Sequence, residues 1–599
     1  MPEPLRKFLD SSWPTLLKYL FGIGLTIAAF AKAHQVDAFA ISLFEVFAIF
    51  VVCNAIAAKS RLAASILSGV LLLLEGIQLL VLTFSNSFLT LIFISNLNSL
   101  EDLSGKIVVY LSAVIVMLLF LALPVRHVNI RSPRFLGELG CEAGIIFLAV
   151  AFVAVALEAF GYQNSPMLAY GFLVSEHMES ERAREEVEGL PNVTAGFYRP
   201  GVEDHYQKPA SLPDKPNVVI VFTEGLSQNI VEDERSIMPN VARYEDESLS
   251  FSSYFNHTFA TYRGLIGQFF SGFQHNNFDG NTLVSLPKIL EAQGYQTAFI
   301  NVEPGNRDFY DYLCTLGFQE VLDYPDEPHQ GIVPGHLSDR QSYAKLLEEM
   351  DRMGSSGQPF LLGIYTVGTH ASFDSVDEKF GNGLDTELNK FYDADYQFGE
   401  FMSQFEQSPW FENTVVVFTS DHCTYGDMYF TDAFPEYERL SMEVDAVPFL
   451  IYHKDVEPQS IDVQGRTSVD LAPTLLDYLD VSAENYFVGT SLFAPVTQAS
   501  AMETFFSDGG NSEFSTKGGT VSRLSPAAQR IAKTFLRKYY AAKQQEPLIP
   551  DGTVTPSDPT VWDESEAPYG PVASGETQVS RPGNLVEDLG MVPVLPPND

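Results

Sequence analysis

Cysteine is scarce, at four in 599 residues, so no disulfide framework organises the fold. Cys53 and Cys141 sit in or beside apolar runs, which leaves only Cys314 and Cys423 outside them. Spacing alone does not specify a bridge between those two, because geometry decides that. Positive charge is scarce as well: 36 Lys and Arg stand against 76 Asp and Glu, for a formal net charge of −40. Such a surface does not suit nucleic acid, which needs a basic face. Any phosphate site on this chain must therefore be positive locally, for example through a metal. Repeats of the solenoid or propeller kind are absent too.

Long apolar runs, in contrast, are plentiful near the N-terminus. Five of them, at 13–33, 37–58, 63–83, 106–125 and 141–161, approach the roughly 20 residues that a helix needs to cross a bilayer. The expectation is a five-span membrane domain over residues 1–162, whose first run is retained because four more follow it. Arg6 and Lys7, Lys59 and Arg61, and Arg126, Arg131 and Arg134 all fall on one side of these spans. Basic clusters mark the cytoplasmic side, so the rest of the chain is expected outside the cytoplasm. The segment NSFLTLIFISNLNSLEDL, apolar but broken by Asn and Ser, could be re-entrant or interfacial but reads more naturally as an external loop. Glu45 and Glu75 fall inside predicted spans, where a carboxylate can serve a lipid head group or a proton path; the simpler reading is that they lie near an interface or pair with a neighbouring helix.

From about residue 163 the texture changes. Residues 163–210, including HMESERAREEVEG, read as a linker or stalk. Residues 211–500 alternate short β-branched strands (NVVIVFTEG, YQTAFINVE, FLLGIYTVG, NTVVVFTSDH, VPFLIYHKD) with helical stretches. A helical extension over 501–545 and an acidic, Pro-rich tail over 546–599 without core texture complete the chain. Near-continuous apolar strands of this kind suit a mainly parallel sheet covered on both faces. Ligands of such sheets gather at the carboxyl ends of the strands. The polar residues there are Glu224, Glu303, His370, Asp421 and His422.

A phosphate-handling metal takes hard oxygen and imidazole ligands and leaves room for a substrate oxygen. Glu224, Asp421 and His422 offer that set. Thr261, in HTFATYRGLIGQFFSGF, stands where a helix can begin, so its hydroxyl would meet both the metal and the positive end of the helix dipole. Taken singly, each has an ordinary structural reading: an N-cap for Thr261, a loop carboxylate for Glu224, a structural Asp-His pair. Their order along the chain is what argues for chemistry.

The elements VVIVFTEG, SLPKILEAQGYQTAF, NRDFYDYLCTLGF, FYDADYQFGEF, VVVFTSDH, VPFLIYHKD and SVDLAPTLLDYLDV, followed by GTSLF, resemble the lipoteichoic acid synthases and their relatives. These form the sulfatase-like branch of the alkaline phosphatase superfamily, and the resemblance covers about residues 215–495. It implies an α/β alkaline-phosphatase-like domain with a central, mainly parallel sheet, preceded by the helical membrane domain. It also implies a multi-pass protein of a bacterial cell or inner membrane. Carried over residue by residue, Glu224, Thr261, Asp421 and His422 would hold one divalent metal, Mn2+ or Mg2+, with Thr261 also the nucleophile. Arg307 and His370 would contact the phosphate. The implied activity is transfer of a glycerophosphate head group from phosphatidylglycerol, a phospholipid donor in the membrane, to a glycan or polymer hydroxyl.

Two departures bear on the substrate. Pro304 and Gly305 precede Asn306-Arg307-Asp308 where the family commonly has an aromatic residue, and ATYRGL replaces the family's Gly-rich Thr-Ser pattern. Arg263 could therefore add a positive charge for substrate binding. The alternatives are a phosphoethanolamine transferase, a phosphodiesterase or sulfatase-like hydrolase, and a silent glycan-binding membrane protein. A sulfatase proper is disfavoured, since TYRGL offers neither the modified Cys or Ser nor its proline.

Overall fold

The computed structural model describes residues 3–33, 39–95, 106–128 and 165–549, apart from 276–279, 327–328, 333–334, 499 and 509–512. Three described helices are long and apolar enough to cross a membrane: α1 (Trp13–Lys32), α2 (Phe39–Ala57) and α3 (Arg61–Ser85). With no water in a bilayer core, each polar side chain buried there needs a protein partner. Tyr19 donates to Ser68 Oγ at 2.9 Å, and Lys18 Nζ to the Leu123 carbonyl at 3.1 Å.

Two expectations for this part change. The run at 106–125 forms α5 (Ile107–Leu121), only 15 residues long, short of a full span. Hydropathy extends that run past what its neighbours allow. Lys106 is drawn over the Tyr429 ring at 3.3 Å, and beyond Leu121 the chain turns so that the Val125 amide bonds Ser65 Oγ at 2.9 Å. The expected external loop also folds back. The Leu89 amide donates to Gln78 Oε1 at 2.9 Å, roughly 10 Å below the end of α3 at 1.5 Å rise per residue, and Phe88 is buried. The short helix α4 (Leu91–Ser95) follows. The fifth expected span, 141–161, and most of the tail beyond residue 546 lie outside the described residues.

The two ends of the helical part differ. At one end, Thr15 Oγ donates to the Arg126 carbonyl at 3.2 Å, and Asn54 bonds the backbone of Val128 in both directions. The basic residues near 6, 60 and 126 belong to this end. At the other, Asn86, Ser87 and Lys106 meet the sheet domain. A 23-residue helix, α6 (Pro166–Glu188), runs on from the membrane part. Its N-terminus is anchored by Glu45, which accepts from Ser165 Oγ and, at 3.3 Å, from the Met167 amide. Glu45 is thus accounted for as a helix-capping anion.

The sheet domain contains β1 (Asn217–Thr223), β2 (Leu249–Ser252), β3 (Gln296–Ile300), β4 (Glu320–Leu322), β5 (Phe360–Tyr365), β6 (Thr414–Ser420), β7 (Phe449–Tyr452) and β8 (Gln459–Asp462). They form one eight-stranded sheet in the order β4-β3-β5-β1-β6-β7-β2-β8. Only β7 pairs antiparallel to its neighbours, so the sheet is mainly parallel, as expected. Every residue of β1, β5 and β6 is buried, which is why these strands read as unbroken apolar runs. The covering helices include α7 (Thr261–Phe270), α8 (Arg307–Leu313), α9 (Asp339–Gly354) and α10 (Thr386–Glu406). After residue 500, three short antiparallel strands, Phe505–Ser507, Glu513–Ser515 and Ser522–Arg523, precede α11 (Pro526–Ala542).

Candidate active site

The register of the central strands sets the site. Thr223 of β1 lies opposite Ser420 of β6, so the next residues, Glu224 and Asp421, emerge side by side. Gly225, at φ +49°, turns the chain so that its amide donates to Asp421 Oδ1 at 2.9 Å. From the third side α7 brings Thr261. Gly264 makes that approach possible, because a Cβ there would stand 2.1 Å from the Asp421 carbonyl oxygen. Gln268 secures it by donating to the Ser420 and Asp421 carbonyls at 3.1 and 3.3 Å.

Thr261 is the first residue of α7 rather than its cap, and its hydroxyl donates to Glu224 Oε2 at 2.8 Å. The preceding Ala260 sits at φ +80°, a backbone conformation that a non-glycine residue adopts at a cost of order 1–3 kcal/mol and that clusters at functional sites. His422 bonds the Cys423 carbonyl through Nδ1 at 2.7 Å. Its Nε2 faces Glu224 Oε1 at 3.4 Å and Asp421 Oδ2 at 3.6 Å. One ligand atom from each of Glu224, Asp421 and His422 lies within 4.8 Å of the others, and all three residues are buried.

Charge is unbalanced here. Burial pushes the Glu224 carboxyl up, but the His422 imidazole and the Thr261 hydroxyl outweigh it and hold Glu224 at about 2. Burial, then the Glu224 charge, pushes Asp421 up to about 7. The His422 imidazolium is disfavoured by burial yet raised to about 9 by Asp421 and Glu224. Asp421 Oδ2 is buried with no hydrogen-bond partner. An orphaned carboxylate oxygen, a second carboxylate and an imidazole Nε2 fixed by its other nitrogen fit a hard divalent cation.

His370, at the end of β5, is near enough to lower the Glu224 pKa, and its Nδ1 is buried without a partner. Thr369 beside it donates to the Glu224 carbonyl. Arg307 is not brought in by any described contact. It is exposed, pairs with Asp311 at 3.1 Å and lies over the Tyr310 ring at 4.1 Å. Arg263 is 6% exposed and faces Asp508 and Glu443.

Sequence reasoning missed Phe259 and Tyr425. Phe259 packs on His422 at 4.5 Å and on Tyr425 at 5.4 Å, and Tyr425 meets Phe93 of α4 at 6.3 Å. Tyr425 also shares a 2.9 Å hydrogen bond with Ser87. An aromatic residue two positions before Thr261 and another three after His422 were the available signal. Cys314 and Cys423 are both free thiols, one exposed and one buried.

Residues 216–481 match the family model described as Sulfatase. Phosphoglycerol transferase I of Escherichia fergusonii is 24% identical over 312 residues, covering 46% of this chain and 39% of that protein. The chain thus spans well under half the length of that curated relative. Among solved structures, lipooligosaccharide phosphoethanolamine transferase A of Neisseria meningitidis is similar at a TM-score of 0.49 and 15% identity, over 81% of this chain and 98% of that one. A lipoteichoic acid synthase of Listeria monocytogenes is similar at 0.44 and 17% identity, over 61% and 96%.

Proposed function

We propose that the sulfatase-family domain of this chain is the catalytic part of a membrane-anchored, metal-dependent phosphotransferase. It moves a glycerophosphate head group from phosphatidylglycerol to a glycan or polymer hydroxyl through a covalent threonine intermediate. The observation that carries the reading is the Thr261 hydroxyl, 2.8 Å from Glu224 in a buried Glu-Asp-His set at the strand ends.

Glu224, Thr261, Asp421 and His422 would hold the metal, Mn2+ or Mg2+. When bound, it supplies Lewis-acid stabilisation of charge on the phosphoryl oxygens and lowers the pKa of the coordinated hydroxyl. Thr261 Oγ attacks phosphorus, and its proton has an acceptor in Glu224 Oε2. The bond from phosphorus to the diacylglycerol oxygen breaks, and His370 would give that oxygen a proton. The acceptor hydroxyl then displaces Thr261 from phosphorus and restores the free side chain. Arg307, now paired with Asp311, would have to turn from that pair to clasp incoming phosphate.

The basic clusters at the end of the helices away from the sheet domain support a catalytic domain outside the cytoplasm. The comparison with phosphoglycerol transferase I supports the head group. The test feeds full-length protein in membranes with head-group-labelled phosphatidylglycerol and, separately, phosphatidylethanolamine. Diacylglycerol release from phosphatidylglycerol and a glycerophosphate adduct on the Thr261 peptide are expected. Turnover of phosphatidylethanolamine alone would move the reading to phosphoethanolamine transfer.

A further inference from the structure

His336 has a polar edge that no described residue satisfies. It lies between β4 and α9, is 4% exposed, and faces Glu303 Oε2 through Nε2 at 3.4 Å. Its loop is pinned over the end of β3: the Leu337 amide donates to the Val302 carbonyl at 2.9 Å, and the Gly305 amide to the Gly335 carbonyl at 3.2 Å. Its Nδ1 is buried with no partner, as is Nδ1 of His370. The two imidazoles interact electrostatically, and His370 interacts in the same way with Glu224. His336 to Asp339, with Val367 and Gly368 on the chain leading to His370 and Phe373 to Val376 after it, line one small cavity.

The chemistry of the free edge is restrictive. Nε2 faces a carboxylate and so carries the ring proton, which leaves a lone pair on Nδ1. Burial, and then the neighbouring His370 and His329, pull His336 down to about 4, so the ring is neutral and Nδ1 only accepts. Phosphoryl oxygens of an ionised phosphodiester also only accept. The complement of Nδ1 is therefore an N–H or O–H donor on the ligand. A hydroxyl or an ammonium would each supply such a donor, and the glycerophosphate reading above selects the hydroxyl.

We propose that His336 Nδ1 accepts a hydrogen bond from a head-group hydroxyl of the phosphoryl donor, making Glu303 and His336 the side of the site that reads a polyol. This rests on the phosphotransferase reading above and names a specificity-determining residue for it. Sequence gave no hint of His336, which lies in an irregular loop outside every quoted motif.

The test measures binding of glycerol phosphate and propyl phosphate, which lacks the hydroxyls, to the full-length Mn2+-loaded protein by calorimetry. Wild type should prefer glycerol phosphate by about ten-fold, as for one well-satisfied buried hydrogen bond. His336→Leu should abolish that preference and leave propyl phosphate affinity unchanged, which also shows that the site is intact. His336→Asn, with an acceptor near the Nδ1 position, should keep part of it. Equal weakening of both ligands by His336→Leu, a preserved preference in that variant, or no preference or no binding in wild type would each overturn the proposal. Diacylglycerol release, measured in parallel, judges the phosphotransferase reading separately from this preference.

Discussion

The helical part and the sheet domain treat buried polar side chains differently. Among the helices, Tyr19 meets Ser68, Lys18 meets the Leu123 carbonyl, and Glu45 meets the first turn of α6. Glu75, with both carboxylate oxygens unpartnered, Gln78 Nε2 and Lys106 Nζ are exceptions among the described residues. At the ends of the strands, Asp421 Oδ2 and the Nδ1 atoms of His336 and His370 are all unpartnered and buried. A buried polar group that finds its partner within the fold holds the fold together, whereas one left without calls for another explanation, and at a cluster on the strand ends a bound ion or ligand supplies it. Substitutions in the first set should cost stability, and those in the second should cost chemistry.

The largest expected effect is Thr261→Ala. Turnover should fall by roughly three or more orders of magnitude, while one lost hydrogen bond costs about 1 kcal/mol of stability. Thr258→Ala should be mild. An assay of diacylglycerol release beside a melting curve checks both, and near-normal turnover in Thr261→Ala would exclude it as nucleophile. Asp421→Ala comes next: the purified protein should lose its bound divalent ion by elemental analysis while keeping its fold. Retention of the ion would show that the orphaned oxygen is not a ligand.

A third prediction concerns Asp339, which burial and then Asp393 push up to about 7 against the hydrogen bond from the Gly368 amide. The unfolded carboxyl ionises near 3.9, so the fold binds the extra proton between these values. Stability should fall as pH rises from about 4 to about 7 and level off above. Asp339→Asn removes this term, so the variant should gain on the order of 4 kcal/mol relative to wild type at pH 8 and nothing at pH 4. Denaturation midpoints at the two pH values decide it; an equal change at both contradicts the assignment.

Smaller effects sharpen the contrast from the helical side. Glu45→Leu strips the anchor of α6 and should cost about 1–2 kcal/mol, with turnover per folded molecule unchanged. A loss of turnover without a loss of stability would place Glu45 in the functional set. Asn86→Ala removes bonds to the Gly426 carbonyl at 3.0 Å and Thr431 at 2.9 Å. It should lower stability by about 1 kcal/mol, visible as faster proteolysis between the two parts.

Much of the sheet was legible because β1, β5 and β6 are buried on both faces and so are written as apolar runs. Their polar last residues then pointed to Glu224, Asp421 and His422, and a helix start pointed to Thr261. What hydropathy could not convey was competition for backbone and side chains. Lys106 leaves the apolar run for the Tyr429 ring, and Gln78 pulls the Leu89 amide back among the helices. Strands of three residues such as Phe505–Ser507 are too short to show alternation. Arg307 was drawn from a resemblance to a motif, and a motif does not specify on which side of α8 the guanidinium lies.

Asn86, Ser87, Phe93 and Lys106 all grip residues 425–431, a few positions after His422. The candidate site is therefore clamped at one height above the helices instead of riding on a swinging arm. On the proposed reaction, a donor lipid has only to diffuse sideways into place. An acceptor must supply the reach itself, so the length and flexibility of the acceptor chain, more than any motion of the enzyme, set which molecules are modified.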